Sequence, residues 1–196
     1  MERRAVLANG GLMLGGALML AACARPAPTP LAADGKPAPQ VYPIKAGDAS
    51  AITYRMVDGV NDLRGARNLT PLVLEPGLTA AAATHSRDMA VQNRPWHFGS
   101  DGSSPLVRVQ RAGYGGVLLG ELISETFETE LSTLSAWMGD ADTRSIIMDP
   151  RASQIGFAWF QEPSGKIWWT MLTGRAADAG SLPDYGRDSM GPRPIL

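Results

Sequence analysis

The chain has 196 residues, of which 44% are hydrophobic, and it carries a formal net charge of −1 at pH 7. A nearly neutral chain lacks the concentrated positive charge that nucleic-acid binding requires, so no nucleic-acid partner is expected. The single cysteine, Cys23, leaves no pair for an internal disulfide, so a folded domain must be stabilised by its hydrophobic core.

The N-terminus has the pattern of an export signal. Arg3 and Arg4 precede an uncharged, mostly apolar run over residues 5–22 that ends in small residues before Cys23. The alternative is a membrane-spanning helix, since the run is close to the roughly 18 residues that a span requires. The order Leu-Ala-Ala-Cys at residues 20–23 favours the signal, because it resembles a bacterial lipobox, in which the cysteine is lipidated. We expect a signal peptide at 1–22 and a membrane anchor on Cys23.

The residue after the cysteine bears on which membrane holds this anchor. Ala24 stands where an aspartate retains Gram-negative lipoproteins of this kind at the inner membrane. The expected location is therefore the cell envelope, at the outer membrane and facing the periplasm.

Composition divides the remaining chain into three parts. Residues 23–48 are rich in proline and alanine and are expected to form a tether. Residues 175–196 are rich in glycine and proline and are expected to be a disordered tail. Residues 49–174 lie between them and have the length of one domain.

Apolar spacing and turn residues predict a series of helices and strands within this domain. Helices are expected from about Ser50 to Asn68, from Glu75-Pro76 to Asn93, from Ser104-Pro105 to Gly113 and from Phe127 to Met138, and strands at residues 117–124, 155–160 and 166–173. The last two strands are apolar on both faces, so helices must cover both sides of the sheet. The predicted fold is α/β, a three-layer α-β-α sandwich with a small, mainly antiparallel sheet.

Several motifs follow one another at intervals that resemble those of a known family. They are Asn61-Asp62-Leu63-Arg64, Thr70-Pro71-Leu72, the Ala-x-x-His-Ser-x-Asp-Met-Ala segment at residues 82–90, His97, the segment from Arg108 to Tyr114, Gly120-Glu121, Trp137 and Ile155-Gly156. The series resembles the CAP superfamily (cysteine-rich secretory proteins, antigen 5 and plant pathogenesis-related proteins), in its small disulfide-free bacterial branch. The resemblance implies the same three-layer fold and a cleft with two histidines and two acidic residues.

The resemblance assigns positions of this chain to that tetrad. His97 matches the first histidine, Glu121 matches the glutamate of the family's Gly-Glu-Asn segment, and Asp140 stands at the second acidic position. Leu122 replaces the asparagine of that segment. Thr143 stands in the place of the second histidine, so the tetrad is degenerate in this chain.

Three chemical roles are open for His97 and Glu121. Together with Asp140 they could bind a divalent metal ion such as zinc, but a neutral threonine hydroxyl is a poor replacement for an imidazole, so no cofactor is expected. As an acid/base pair they could activate water if the two side chains lie within about 3 Å of each other or of one shared water, although no nucleophile stands beside them. As a structural pair, His97 would bond to Glu121 and hold its loop on the sheet.

Other polar and aromatic residues have simpler interpretations. His85 lies on the apolar face of the second helix and is expected to be a core histidine bonded to a carbonyl; the alternative places it in the cleft as a substitute imidazole. Arg108 and Arg111 are expected to form a solvent-exposed helix face. Asn61 and Arg64 are expected to hold the fold, and the late tryptophans to build the core, namely Trp159, Trp168 and Trp169.

These observations favour a lipid-anchored cell-envelope protein that acts as a ligand-binding or structural module. The resemblance suggests small apolar ligands, lipids or envelope components. The alternative is a hydrolase, metal-assisted or water-activating, that uses His97 and Glu121 on a peptide or cell-wall polymer. A third interpretation is an accessory subunit of an envelope assembly, with the Trp-rich hairpin or the C-terminal tail as its contact.

Overall fold

The computed structural model describes residues 41–177, which contain five helices and four strands. In chain order these are α1 (Ala49–Gly65), β1 (Val73–Leu74), α2 (Pro76–Gln92), α3 (Pro105–Arg111), β2 (Val117–Thr126), α4 (Glu130–Gly139), α5 (Ala141–Ile147), β3 (Gln154–Gln161) and β4 (Ile167–Arg175). The predicted signal peptide, Cys23, and most of the predicted tether and tail lie outside the described residues. Between residues 41 and 177, no helix has both the length and the apolarity needed to cross a membrane.

The strands form one mixed sheet in the order β1-β3-β4-β2. Strand β4 pairs antiparallel with both β2 and β3, and only the two-residue β1 runs parallel to its neighbour β3. Helices α1, α4 and α5 pack on one face of the sheet, where the larger core cluster includes Ile52, Trp137 and Ile147. Helices α2 and α3 pack on the other face, around Leu78 and Val109. The predicted three-layer sandwich with a mainly antiparallel sheet is confirmed.

Local capping explains where the helices on the second face begin. The side chain of Glu75 accepts a hydrogen bond from the backbone N–H of Leu78 at 2.7 Å, and Pro76 occupies the first turn of α2. Ser104 caps α3 in the same way through Val107, and Pro105 follows it. Both predicted starts are confirmed.

Two elements were not predicted, and one begins later than expected. The parallel strand β1 is too short for an alternating pattern, and α5 follows directly on Asp140, which ends α4 and caps α5. Helix α4 begins at Glu130 rather than at Phe127, because Thr129 caps it by accepting from the N–H of Ser132.

Two polar residues of α1 hold the loops that surround its C-terminal end, as predicted. Asn61 donates to the carbonyl of Leu72 and accepts from its N–H, at 3.0 and 2.7 Å. Arg64 is fully buried and donates to four backbone carbonyls, those of Thr70, Ile147, Asp149 and Ala152. These bonds tie α1 to the segment that enters β3.

Packing extends beyond both predicted boundaries of the domain. Tyr42 and Ile44, within the stretch predicted as a tether, pack against the larger core cluster, and the N–H of Tyr42 bonds to the carbonyl of Phe127 at 3.0 Å. Strand β4 continues to Arg175, the first residue of the predicted tail.

The tryptophans of the β3–β4 hairpin pack in the core, although Trp159 is only partly buried. Trp168 and Trp169 are fully buried, and Trp169 stacks on Phe157 with ring centres 5.5 Å apart. Their burial confirms the predicted core role and leaves these two rings unavailable as a contact surface for a partner protein.

Candidate functional site

The candidate site is centred on Glu121 in the edge strand β2. Successive side chains of a strand point to opposite faces of the sheet. Leu122 belongs to the core on the α1–α4 side, whereas Glu121 faces α2 and α3 and its side chain is only 2% exposed. The preceding residue is Gly120, and Ile146 of α5 packs closely against it. A β-carbon at position 120 would overlap the side chain of Ile146.

His97 and Glu121 form a direct hydrogen bond. The Nδ1 atom of His97 lies 2.9 Å from Oε1 of Glu121. An ionised carboxylate only accepts hydrogen bonds, so Nδ1 is the donor, and in the neutral form of the ring Nε2 is then an acceptor. The imidazole is 51% exposed, so Nε2 belongs to a ring that solvent can reach. The acid/base and the structural interpretations both require the two side chains to lie about 3 Å apart, and the Nδ1–Oε1 distance meets that requirement.

The loop that carries His97 is tied to helix α2. Asp88 accepts hydrogen bonds from the N–H and the hydroxyl of Ser100, at 2.7 and 2.5 Å. Gln92 donates to the carbonyl of Phe98 at 3.2 Å and accepts from the indole of Trp96 at 2.7 Å. The position of His97 is therefore set on both sides along the chain.

Arg108 is the second partner of Glu121, and the prediction that it lies on a solvent-exposed face is wrong. Its side chain is 5% exposed, and Nη2 donates to Oε2 of Glu121 at 2.6 Å. Nη1 donates to the carbonyls of His97 and Ser103, at 3.0 and 2.9 Å. Arg111 is exposed as predicted and pairs with Asp101. A carboxylate buried in an apolar strand requires a cationic partner. The position of Glu121 within an apolar strand could therefore have indicated that a nearby arginine is buried with it.

His85 closes the site from helix α2. It is fully buried, and Nε2 donates to the carbonyl of Trp96 at 3.0 Å, which confirms a core histidine bonded to a carbonyl. Nε2 is also 3.7 Å from Oε1 of Glu121, which is too long for a hydrogen bond. Burial lowers the pKa of His85, against the opposing effect of the Glu121 charge, and the ring is neutral.

Asp140 and Thr143 form a helix cap. Oδ1 of Asp140 accepts from the N–H groups of Asp142 and Thr143, both at 3.0 Å, and these bonds, led by that of Thr143, lower the pKa of the carboxyl. The hydroxyl of Thr143 donates to the carbonyl of Trp137 at 2.5 Å. No hydrogen bond or ion pair among the described residues joins either side chain to His97 or Glu121. The structure therefore brings together two of the four tetrad positions and adds Arg108 and His85.

These donors do not fit a divalent metal ion. Oε2 of Glu121 is bonded to a guanidinium, and Oε1 to the protonated Nδ1 of His97. Thr143 supplies a hydroxyl that already donates to a carbonyl, where the family tetrad has an imidazole. In the part of the chain that the structure describes, no group of three or more His, Cys, Asp or Glu side chains is arranged to hold a metal.

Cavities lie near these elements on both faces of the sheet. A polar cleft of about 390 Å³ lies between α2, the loop at residues 100–103 and α3, and Arg108 is among its lining residues. A more apolar groove of about 490 Å³ lies between the end of α1 and α4–α5, on the other face of the sheet. The groove is lined by Leu63, Ala66, Arg67, Leu69, Met138, Ala141, Arg144, Ser145 and Met148.

Comparison with known proteins agrees with this fold. The chain is 28% identical over 126 residues to the uncharacterized protein YkwD of Bacillus subtilis (strain 168). The aligned segment covers 64% of this chain and 48% of that protein, so this chain spans about half the length of its relative. An outer surface protein from Borrelia burgdorferi superposes with a TM-score of 0.60 at 17% identity, covering 70% of this chain and 100% of that one. An extracellular protein containing an SCP domain from Bacillus anthracis str. Ames also has a TM-score of 0.60, at 20% identity over 68% of this chain and 45% of that one.

The family model of the cysteine-rich secretory protein family (CAP) matches residues 57–172, more than half of the chain. That segment runs from α1 to β4 and includes His85, His97, Arg108 and Glu121. The chain belongs to the cysteine-rich secretory protein (CAP) family.

Proposed function

We propose that the protein is an exported, lipid-anchored protein of the cell envelope whose CAP domain binds a small ligand and performs no metal chemistry. The lipobox-like residues 20–23 support the anchor on Cys23, and Ala24 supports an outer-membrane location facing the periplasm. The similar proteins from Borrelia burgdorferi and Bacillus anthracis are named as outer surface and extracellular proteins, which supports export.

The observation that carries a binding rather than a catalytic role is the state of Glu121. Its side chain is 2% exposed, and each carboxylate oxygen already accepts a hydrogen bond, one from Arg108 and one from His97. A general base must reach the proton that it removes, and this carboxylate is enclosed. The pair therefore holds the His97 loop on strand β2, which leaves ligand binding to the cavities.

The groove between α1 and α4–α5 suits a small apolar ligand with an acidic group. Leu63, Met138 and Met148 provide apolar lining, and Arg67 and Arg144 add two positive charges. Long-chain fatty acids combine these two properties, because the chain is apolar and the carboxylate pairs with arginine.

Displacement of a fluorescent fatty-acid analogue tests this proposal. We expect saturable binding to the purified protein and binding at least about tenfold weaker in Ala141→Trp, because an indole would fill the groove. Ala136→Trp, an exposed position of α4, is the matched control and should bind as the wild type does. Absence of saturable binding to the wild type, or equal binding to both variants, would contradict the proposal.

The exposure of His97 favours hydrolysis as a second candidate. Glu121 accepts a hydrogen bond from Nδ1–H of His97, so Nε2 of this half-exposed ring is available as a base. Nε2 can take a proton from a water molecule while the water oxygen attacks a carbonyl carbon. Under this hypothesis His97→Ala abolishes hydrolysis of a peptide or cell-wall polymer while the free energy of unfolding barely changes. If the pair is structural, the same variant loses about 1–3 kcal/mol of stability and no activity is found in the wild type.

A further inference from the structure

We propose that Arg108 is the permanent cation of the His97–Glu121 site, where it takes the place of a divalent metal ion and positions His97. This role of Arg108 is independent of which ligand the protein binds, so its test needs no ligand.

The contacts of Arg108 reach every part of the site. One arm of the guanidinium bonds to the carboxylate of Glu121, and the other bonds to the backbone carbonyls of His97 and Ser103. Arg108 itself lies on α3, Glu121 on β2, and His97 on the loop between α2 and α3. The guanidinium is planar and carries N–H donors that point in fixed, different directions, so it can bond to the carboxylate and to the two carbonyls at once. The ammonium group of a lysine is a single donor atom and cannot make this set of bonds.

The same contacts close the site to a metal ion. A metal would have to displace the guanidinium from Oε2, which is 2.6 Å away, and would face its positive charge. A metal that bridged Glu121 and the nearer ring nitrogen of His97 would also have to remove the proton from Nδ1, which donates to Oε1. The neighbouring His85 directs its own N–H, on Nε2, to the carbonyl of Trp96, so the imidazole atom nearest Glu121 is also protonated.

Arg108 also determines which face of His97 is presented to solvent. It holds the backbone of His97 and one oxygen of Glu121, so the other oxygen is directed at Nδ1. In its neutral form the ring is therefore held as the Nδ1–H tautomer, with Nε2 available as an acceptor. Without a partner, neutral histidine prefers the opposite tautomer, so this state reports directly on the positioning.

Nitrogen NMR of the two histidines tests the positioning. The chain contains only His85 and His97, and long-range ¹⁵N–¹H spectra distinguish the two tautomers of a neutral imidazole. In the wild type we expect His97 as the Nδ1–H form, and in Arg108→Gln a shift toward the Nε2–H form. Arg111→Gln removes the same charge three residues further along, at an exposed site, and should leave the tautomer unchanged. An unchanged tautomer in Arg108→Gln overturns the proposal.

Zinc addition to the wild-type protein tests the substitution for a metal. We expect no change in the thermal unfolding midpoint with excess Zn²⁺, because the carboxylate is already paired with a cation. A zinc-induced rise that disappears in His97→Ala overturns the proposal. If Arg108→Gln does not fold, Arg108→Lys takes its place in the NMR experiment, since lysine keeps the charge but not the fork. Loss of the Nδ1–H form then supports the proposal, and its retention overturns it.

Discussion

Single residues set the polarity of the site through their burial. Glu121 lies in an apolar strand with a side chain only 2% exposed, and a buried carboxylate is tolerated only when charge and hydrogen bonds compensate for lost hydration. Arg108 supplies the charge, and His97 supplies the second hydrogen bond. His85, beside them, stays neutral because its burial disfavours the imidazolium.

The neutral state of His85 predicts that the protein loses stability as the pH falls. The unfolded chain binds a proton at His85 near pH 6.5, whereas burial keeps the folded pKa lower. The contribution of His85 to the free energy of unfolding is therefore fully present above about pH 6.5. It is lost as the pH falls toward the folded pKa, by at most about 1.4 kcal/mol per pH unit. Urea unfolding between about pH 7.5 and pH 5 measures this slope.

A variant separates this effect from other titrations. In His85→Gln the amide can still donate to the carbonyl of Trp96, but nothing titrates at that position, so the slope should flatten. Asp101, Asp140, Asp149 and Glu162, whose pKa values are lowered by hydrogen bonds and neighbouring cations, lose stabilisation only at more acidic pH. An equal slope in His85→Gln would contradict the assignment.

At the scale of elements, close packing of α2 on β3 positions the site. Gly156 of β3 lies directly beneath the first turn of α2, and a methyl group there would overlap the backbone of Leu78 and Thr79. Helix α2 carries His85 and, through Asp88 and Gln92, holds the loop of His97. The distance between helix and sheet therefore sets the geometry around Glu121.

We expect Gly156→Ala to destabilise the protein by about 3 kcal/mol, because the overlap is with rigid backbone. Gly139→Ala is the matched control: this residue ends α4 with open space around its α-carbon, so alanine should be neutral or stabilise by up to about 1 kcal/mol. Denaturant unfolding of both variants checks the prediction. Similar stabilities for the two would show that α2 can move away from β3 at little cost.

At the scale of the whole domain, Gln161 joins the start of the described chain to the late hairpin. Its side chain accepts from the N–H of Ile44 at 3.0 Å and donates to the carbonyls of Tyr42 and Gly165, at 2.8 and 3.0 Å. Tyr42 is bonded in turn to the carbonyl of Phe127, just after β2. The segment that would follow a membrane tether is thereby attached to the sheet.

Gln161→Leu should release this segment. We expect a loss of about 1–3 kcal/mol from the unpaired backbone groups. We also expect faster tryptic cleavage after Lys45, whose N–H bonds, within the described part of the chain, only to the nearby Asp48. Gln110→Leu, at an exposed position of α3, serves as the control and should be cleaved at the wild-type rate. Equal cleavage rates would mean that Tyr42 and Ile44 are held by packing alone.

The elements that the sequence predicted are those with local causes. Helices α2 and α3 begin where an acceptor side chain precedes a proline, and β3 and β4 were recognised from continuous apolar runs. The missed elements have weak local signals, since β1 has two residues and α5 follows α4 directly, with no proline after its cap Asp140 to mark the start. In a helix as short as α3 the apolar face spans too few turns to show whether Arg108 lies on the buried or the exposed side of the helix.

The sequence by itself determined the layers of the fold, the buried acid in β2 and the histidine on the apolar face of α2, because each follows from which side chains must leave water. Only the tertiary structure decided the partners of that acid. Glu121 meets His97 and Arg108 from 24 and 13 residues away, while Asp140 and Thr143 are engaged in a helix cap. Contacts at such separations depend on how the helices and the sheet pack in three dimensions, and local spacing carries no information about that packing.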